Sequence, residues 1–274
     1  MGAQDAIRGF EYQFLWTLEY GLSALFVDDP ASTAIQVEDV LTTRLRVDQD
    51  IVDFGVRRGD RIMTVAQIKS GGATSAFTAS NFLSIAVRLP THSAEHYLVV
   101  TNRSAGDNLS ELLILMRIEG SDLRERVLAL AGRWKVATEL AAQEPEFWQR
   151  LVRMEVVLDP RDIEQVRVDV QERVRAARHR VAPSTVGWDA AGLLTGYLVW
   201  EVMGKAAGPA VAELPMSALL RILGTSVDSL TALIRERDWA IPVTPAPRTP
   251  ACQGELSPLV QSNPGLMQGE IRID

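Results

Sequence analysis

Four residues between positions 38 and 69 have the types and spacing for metal-assisted chemistry: Glu38, Asp53, Gln67 and Lys69. Two carboxylates and a side-chain amide are hard oxygen donors. Mg²⁺ takes such donors in octahedral geometry and keeps several waters, so one or two carboxylates, an amide oxygen and a backbone carbonyl suffice to hold it. Mn²⁺ accepts the same ligand types. A lysine beside the ion can orient or activate a bound water, or stabilise charge developing on a phosphate, and these are the tasks of phosphodiester hydrolysis. A neighbouring carboxylate raises a lysine's pKa and burial lowers it, so the sequence leaves open whether Lys69 is a base or a fixed cation. The plain alternative is a surface lysine at a sheet edge and a charge at a strand end. Against it stands the scarcity of lysine. Of 28 basic residues only those at 69, 135 and 205 are lysine, so arginine supplies positive charge almost everywhere, and a compact ammonium at 69 suits close approach to a phosphate or water.

The elements that must position these residues are legible in the periodicity. Ile7, Phe10, Phe14 and Leu18 lie at helical spacing in a helix expected over 5–26, which Asp28-Asp29-Pro30 ends. Three β-prone segments follow, at 34–40, 51–56 and 61–69, then a helix over 79–89 and an apolar strand at 97–100. The order is α-β-β-β-α-β. In a strand, residues two apart share a face, so Gln67 and Lys69 point one way with Val65 and Met63, and Ile68 the other. Asp53 joins that face only if the hairpin parity allows it. A three-residue connection Arg58-Gly59-Asp60 does so; a two-residue Gly59-Asp60 turn requires a β-bulge as well.

With the motif and the element order in place, the chain resembles the PD-(D/E)xK nuclease superfamily in its D…QxK variant, as in Mrr-type restriction endonucleases. Gly9-Phe10-Glu11-Tyr12-Gln13, Val37-Glu38-Asp39, Asp53, Gln67-Ile68-Lys69-Ser70 and Leu98-Val99-Val100-Thr101-Asn102 look like the N-terminal double-stranded-DNA endonuclease domain of bacterial antiphage effectors. That family includes nucleases fused to cyclic-oligonucleotide sensors (CBASS-type) or to STAND-type NTPases. The resemblance covers residues 5 to 180. It implies an α/β restriction-endonuclease-like core, with Asp53 as the metal-binding aspartate, Gln67 in place of the usual acidic ligand, Lys69 as the motif lysine and Glu38 as an additional acid. Gln13 matches the family's first-helix glutamine in a supporting role. It further implies a Mg²⁺-dependent endonuclease of double-stranded DNA acting in antiphage defence, as a homo-oligomer or with a separate sensor or NTPase chain. This chain carries no Gly-x(4)-Gly-Lys-Ser/Thr phosphate loop of its own. A catalytically inactive scaffold on the same fold, or a nuclease of RNA or single strands, are the alternatives.

Other features are weaker. Arg167, Arg173, Arg175, Arg178 and Arg180 form a basic stretch in a helix expected over 159–179; Arg173, Arg175 and Arg178 are candidates for DNA contacts at a nuclease rim, or line a solvated helix face, the commoner arrangement. The helical pair within 214–239 resembles a helix-turn-helix only superficially, because its second helix starts without basic or amide residues. A formal charge of -7 excludes bulk-charge coating of nucleic acid, so any DNA contact must be local. One cysteine and three scattered histidines, 92, 96 and 179, exclude a multi-Cys or clustered-His zinc site. No stretch is long and apolar enough to span a bilayer and no signal pattern opens the chain, so a soluble, cytoplasmic protein without membrane contact is expected. The organisation expected is a nuclease domain over 1–182, a helical extension over 183–241, and a Pro-rich, disordered tail over 242–274 that holds six of 13 prolines.

Overall fold

The computed structural model describes residues 3–27, 29–37, 52–71, 76–89, 93–118, 122–132, 134–183, 187–206, 213–226 and 228–232. The expected tail lies outside the described residues, as does Glu38.

The fold is α/β, built on a mixed six-stranded sheet. Helix α1 (Ala3–Ala24) is followed by β1 (Thr33–Val37), β2 (Phe54–Arg58) and β3 (Arg61–Lys69), an antiparallel meander. Helix α2 (Ala79–Ala86) then crosses to β4 (His96–Thr101), which runs parallel to β3. Four helices, α3 (Asp107–Arg117), α4 (Leu123–Ala131), α5 (Ala137–Ala141) and α6 (Pro145–Leu151), connect β4 to the parallel strand β5 (Met154–Leu158). The order α-β-β-β-α-β read from the sequence is the order found. Helix α7 (Ile163–Val181), helix α8 (Trp188–Ala206), the short strand β6 (Glu213–Pro215) and helix α9 (Met216–Gly224) follow.

Strand parity sorts the helices into two layers. Val65 on β3, Tyr97 and Val99 on β4, and Met154 on β5 belong to one apolar core with Phe82 and Leu83 of α2, Leu109 and Leu112 of α3, Val127 of α4 and Leu151 of α6. The alternate residues of β3 face the other way, where Tyr20 of α1 meets Thr64 by a 3.0 Å hydroxyl contact and packs its ring on Phe54. Helices α1, α7 and α8 contact one another on that side. With both faces covered, β3 is buried from Thr64 through Ile68, as a central strand must be.

The residues from 184 to 230 belong to the same compact unit as the sheet, which runs from Met1 to Leu230. They are not wholly helical. β6 pairs antiparallel with the outer edge of β1, giving the order β5-β4-β3-β2-β1-β6. Glu213 on β6 accepts from Gln36 Nε2 at 3.0 Å and from Arg57 Nε and Nη2 at 2.9 and 2.8 Å, so one carboxylate clamps β1, β2 and β6. The Arg57 hydrogen bonds hold that carboxyl below its ordinary range, more than offsetting burial. Among the described residues no helix is long and apolar enough to cross a membrane.

Candidate active site

The hairpin between β2 and β3 decides whether Asp53 reaches Gln67. Arg58 pairs with Arg61 across a two-residue turn in which Gly59 has φ +57°, a left-handed conformation that glycine adopts without steric cost. Continued regularly, that turn would face Asp53 away from Gln67. The register shifts between Val56 and Arg57, however: Arg57 pairs with Ile62 but Val56 with Thr64, leaving Met63 as an extra residue on β3. This bulge is one of the two devices the parity argument allowed, and it restores the match. Phe54 pairs with Ala66, and the backbone N–H of Asp53, one residue before the strand, donates to the Ala66 carbonyl at 2.9 Å.

Asp53 and Gln67 therefore meet. Both are 2% exposed. Gln67 Nε2 donates to Asp53 Oδ2 at 3.1 Å, and the Ile68 backbone N–H donates to the same oxygen. The carboxylate is thus oriented by two donors from the strand that carries the motif. Lys69, two residues after Gln67 on the same face, is half-buried at the end of β3.

The location has chemical meaning. Lys69 ends β3 and Thr101 ends β4, two parallel neighbours paired in register, and Asp53 immediately precedes the antiparallel β2 at the same end of the sheet. Crevices beyond the carboxyl ends of parallel strands are where open α/β sheets bind ligands, since the chain turns away there and leaves backbone and side chains accessible. Thr101, fully buried, ties the strand ends together: its Oγ1 donates to the Lys69 carbonyl at 2.8 Å and accepts from the Arg103 N–H at 3.2 Å. Thr101→Val keeps the shape but strands both groups, and is expected to lower stability by about 1–3 kcal/mol, read as a denaturant midpoint shift at constant m-value.

As metal ligands, Asp53 and Gln67 fit. The Asp53 carboxylate and the Gln67 side-chain amide, whose Nε2 lies 3.1 Å from Asp53 Oδ2, bring hard-oxygen donors of the kind Mg²⁺ or Mn²⁺ accepts, with water completing its shell, to one place on two adjacent strands. Glu38, the other expected ligand, falls outside the described residues. Gln13 lies on α1, 7% exposed, and its carbonyl accepts from Thr17 Oγ1 at 2.9 Å. One turn earlier α1 passes close to the site strand, for a Cβ on Gly9 would lie 3.1 Å from Ser70 Oγ.

The arginines of α7 have partners within the protein. Arg173 Nε is 2.9 Å from Glu19 and its Nη1 reaches Ser23; Arg175 Nε is 3.0 Å from Glu172; Arg167 bonds Glu11 and Glu164. Arg178 is 8% exposed and donates to the Leu223 carbonyl at the end of α9. This run fastens α7 to α1 and α9, and of the three expected DNA-contacting arginines Arg178 is inside the protein. The sequence reading missed Thr101 and Arg103 as site residues, and also the buried cluster around Asp159. Tyr12 Oη and Trp16 Nε1 donate to Asp159 Oδ2 at 3.0 and 2.8 Å, and Arg161 joins that carboxylate to Glu19 and Asp169. The one local signal was an acid just past an apolar strand, before Pro160.

No protein-family model matches the chain, and neither a curated protein nor a solved structure matches it.

Proposed function

We propose that the chain is a metal-dependent endonuclease of double-stranded DNA on a restriction-endonuclease-like core. The observation that supports this most directly is the bulged β2–β3 hairpin, which sets Asp53 against Gln67 with Lys69 two residues further on the same face. The D…QxK spacing thereby corresponds to one three-dimensional neighbourhood.

Asp53 and Gln67, with Glu38, would hold Mg²⁺. When bound, the ion supplies a Lewis acid for the phosphodiester and lowers the pKa of a coordinated water. The protein's own groups do the rest. The Ile68 and Gln67 N–H donors keep the Asp53 carboxylate in one orientation, so little reorganisation is left for the moment of reaction. Lys69 carries the compact cation that meets charge developing on the phosphate oxygens, or takes the proton of an attacking water. The element order α-β-β-β-α-β and the family resemblance support the nuclease assignment, and the resemblance alone supports the antiphage role, the cytoplasmic setting, and action as a homo-oligomer or beside a separate sensor or NTPase chain.

The test is supercoiled plasmid incubated with purified protein and Mg²⁺ or Mn²⁺, with an EDTA arm. Nicked and linear products are expected with either metal, none in EDTA, and none from Asp53→Ala or Lys69→Ala. Equal cleavage by wild type and both variants would remove these residues from the chemistry.

A further inference from the structure

We propose that Arg103 is a phosphate-binding residue of this site, seated by Gly71, and that it grips a non-bridging oxygen of the same phosphodiester that Lys69 meets; the inference rests on the nuclease reading. Arg103 lies two residues beyond the end of β4, and its backbone N–H shares the Thr101 hydroxyl with the carbonyl of Lys69. Its side chain turns back across the strand end, where Nη2 donates to the carbonyl of Ser70, the residue after Lys69, at 3.3 Å. Two cationic residues, one with a compact and one with a forked head, thus lie at adjacent strand ends, at the end of the sheet where Asp53 and Gln67 meet.

The seat is specific. A Cβ on Gly71 would fall 1.9 Å from Arg103 Nε and 2.5 Å from its Cζ and Nη2, so the guanidinium lies directly on the glycine backbone and any side chain there would evict it. Gly71 is itself held by its N–H on Asn102 Oδ1 at 3.0 Å. This close packing leaves Nε buried with no hydrogen-bond acceptor among the described residues. Elsewhere the arginines at 57, 161, 167, 173 and 175 each meet a carboxylate. Arg103 instead meets a single backbone carbonyl in the hydrogen bonds of the described residues. A guanidinium held rigidly with donor capacity in reserve is matched by a tetrahedral oxyanion, whose oxygens accept two parallel N–H bonds. Because Nε is sealed under Gly71, the donors left for such an anion are Nη1 and the second N–H of Nη2, presented by a guanidinium that the packing holds in place.

The experiment uses the full chain and a fluorescein-labelled DNA duplex, with binding followed by anisotropy over a salt series in EDTA and cleavage measured separately with Mg²⁺. Arg103→Ala is expected to weaken binding about 10- to 100-fold, the loss of a charge-assisted hydrogen-bond pair, and to flatten the log–log salt slope by about one unit. Arg103→Lys should keep the slope and recover only part of the affinity. Gly71→Ala leaves every charge in place yet should weaken binding as Arg103→Ala does, with the double variant no worse than either. Thermal melts confirm that each variant is folded. Unchanged affinity and slope in Arg103→Ala overturn the inference, and so does a wild-type protein that fails to bind the duplex at any salt. If wild type cleaves while Arg103→Ala binds and cleaves equally well, the inference fails and the nuclease reading stands. If Arg103→Ala loses binding but wild type never cleaves with either metal, the phosphate site stands and the nuclease reading fails.

Discussion

Lys69→Arg is expected to reduce Mg²⁺-dependent plasmid cleavage by about 10²–10³-fold, the usual cost of losing one electrostatic contact to a transition state, while the protein melts within about 2 °C of wild type. The substitution keeps the charge, which is why it is informative. The contact that anchors this position is the Lys69 backbone carbonyl on Thr101 Oγ1, and that bond is indifferent to the side chain. What changes is the shape of the cation. An ammonium is a compact point charge with three rotatable donors, able to approach a single oxygen or water; a guanidinium is a planar fork that fills more space and cannot surrender its proton. If charge alone mattered, arginine would serve, as it does almost everywhere else in this chain. Initial rates from gel-resolved plasmid relaxation decide the point, and equal rates for wild type and Lys69→Arg would return Lys69 to the status of an ordinary surface cation.

Arg161→Met is expected to be the most destabilising single substitution in the α1–α7 layer, at about 3–5 kcal/mol, or about 6–20 °C in melting temperature for a unit of this size. Its guanidinium donates to Asp159 at 2.8 and 3.0 Å, to Glu19 at 2.9 and 3.2 Å and to Asp169 at 2.9 Å, and it lies 5.5 Å from the Trp16 ring centre. Asp159 and Glu19 are each 5% exposed. Removing the arginine leaves two carboxylates confined together without their shared cation. The pH dependence has a definite sign. Burial pushes the Asp159 carboxyl up, but the Arg161 guanidinium and amide, with Trp16 and Tyr12, outweigh it and hold the group below its ordinary value of 3.8. Asp169 is held down as well, first by its hydrogen bond to Arg161. A depressed carboxyl stabilises the fold above its unfolded pKa, and that stabilisation is lost as the pH falls through the lower folded value. In Arg161→Met burial dominates, the Asp159 carboxyl rises above its ordinary value, and protonation in mild acid relieves the repulsion. The gap between wild type and variant should therefore be widest at neutral pH and shrink on acidification. Melting curves of both proteins from pH 7 down to about pH 4 test this, and a gap that widens in acid would contradict the assigned network.

The same residues explain what the sequence disclosed and what it withheld. The strand β3 was visible because both of its alternating sets are apolar around Gln67, and the β2–β3 geometry was constrained by parity even though the choice between a long turn and a bulge was not. Local spacing cannot register partners far along the chain. Glu11 and Glu19 lie more than 140 residues from the α7 arginines they neutralise, as the 156-residue Arg167–Glu11 separation and the Arg173–Glu19 pair record, so those arginines read as a solvated helix face or a rim for phosphates. β6 escaped for a different reason: three residues ending in proline carry no periodicity, and only pairing with β1 makes Glu213–Pro215 a strand. Arg103 was invisible because its position depends on the emptiness at Gly71, which a sequence shows only as one more glycine.

The placement of β6 also bears on the order of assembly during synthesis. The second neighbour of β1 is encoded 177 residues downstream at the Gln36–Glu213 contact, so while the chain is being made this strand waits with an unpaired rim of backbone donors and acceptors. Closure across so long a stretch is a late and slow event. β1 also leads directly to Glu38, whose carboxylate the proposed chemistry needs. A nascent chain thus acquires its complete sheet only when nearly all of the compact unit has been translated, so the β1 edge is the last part of the sheet to be closed.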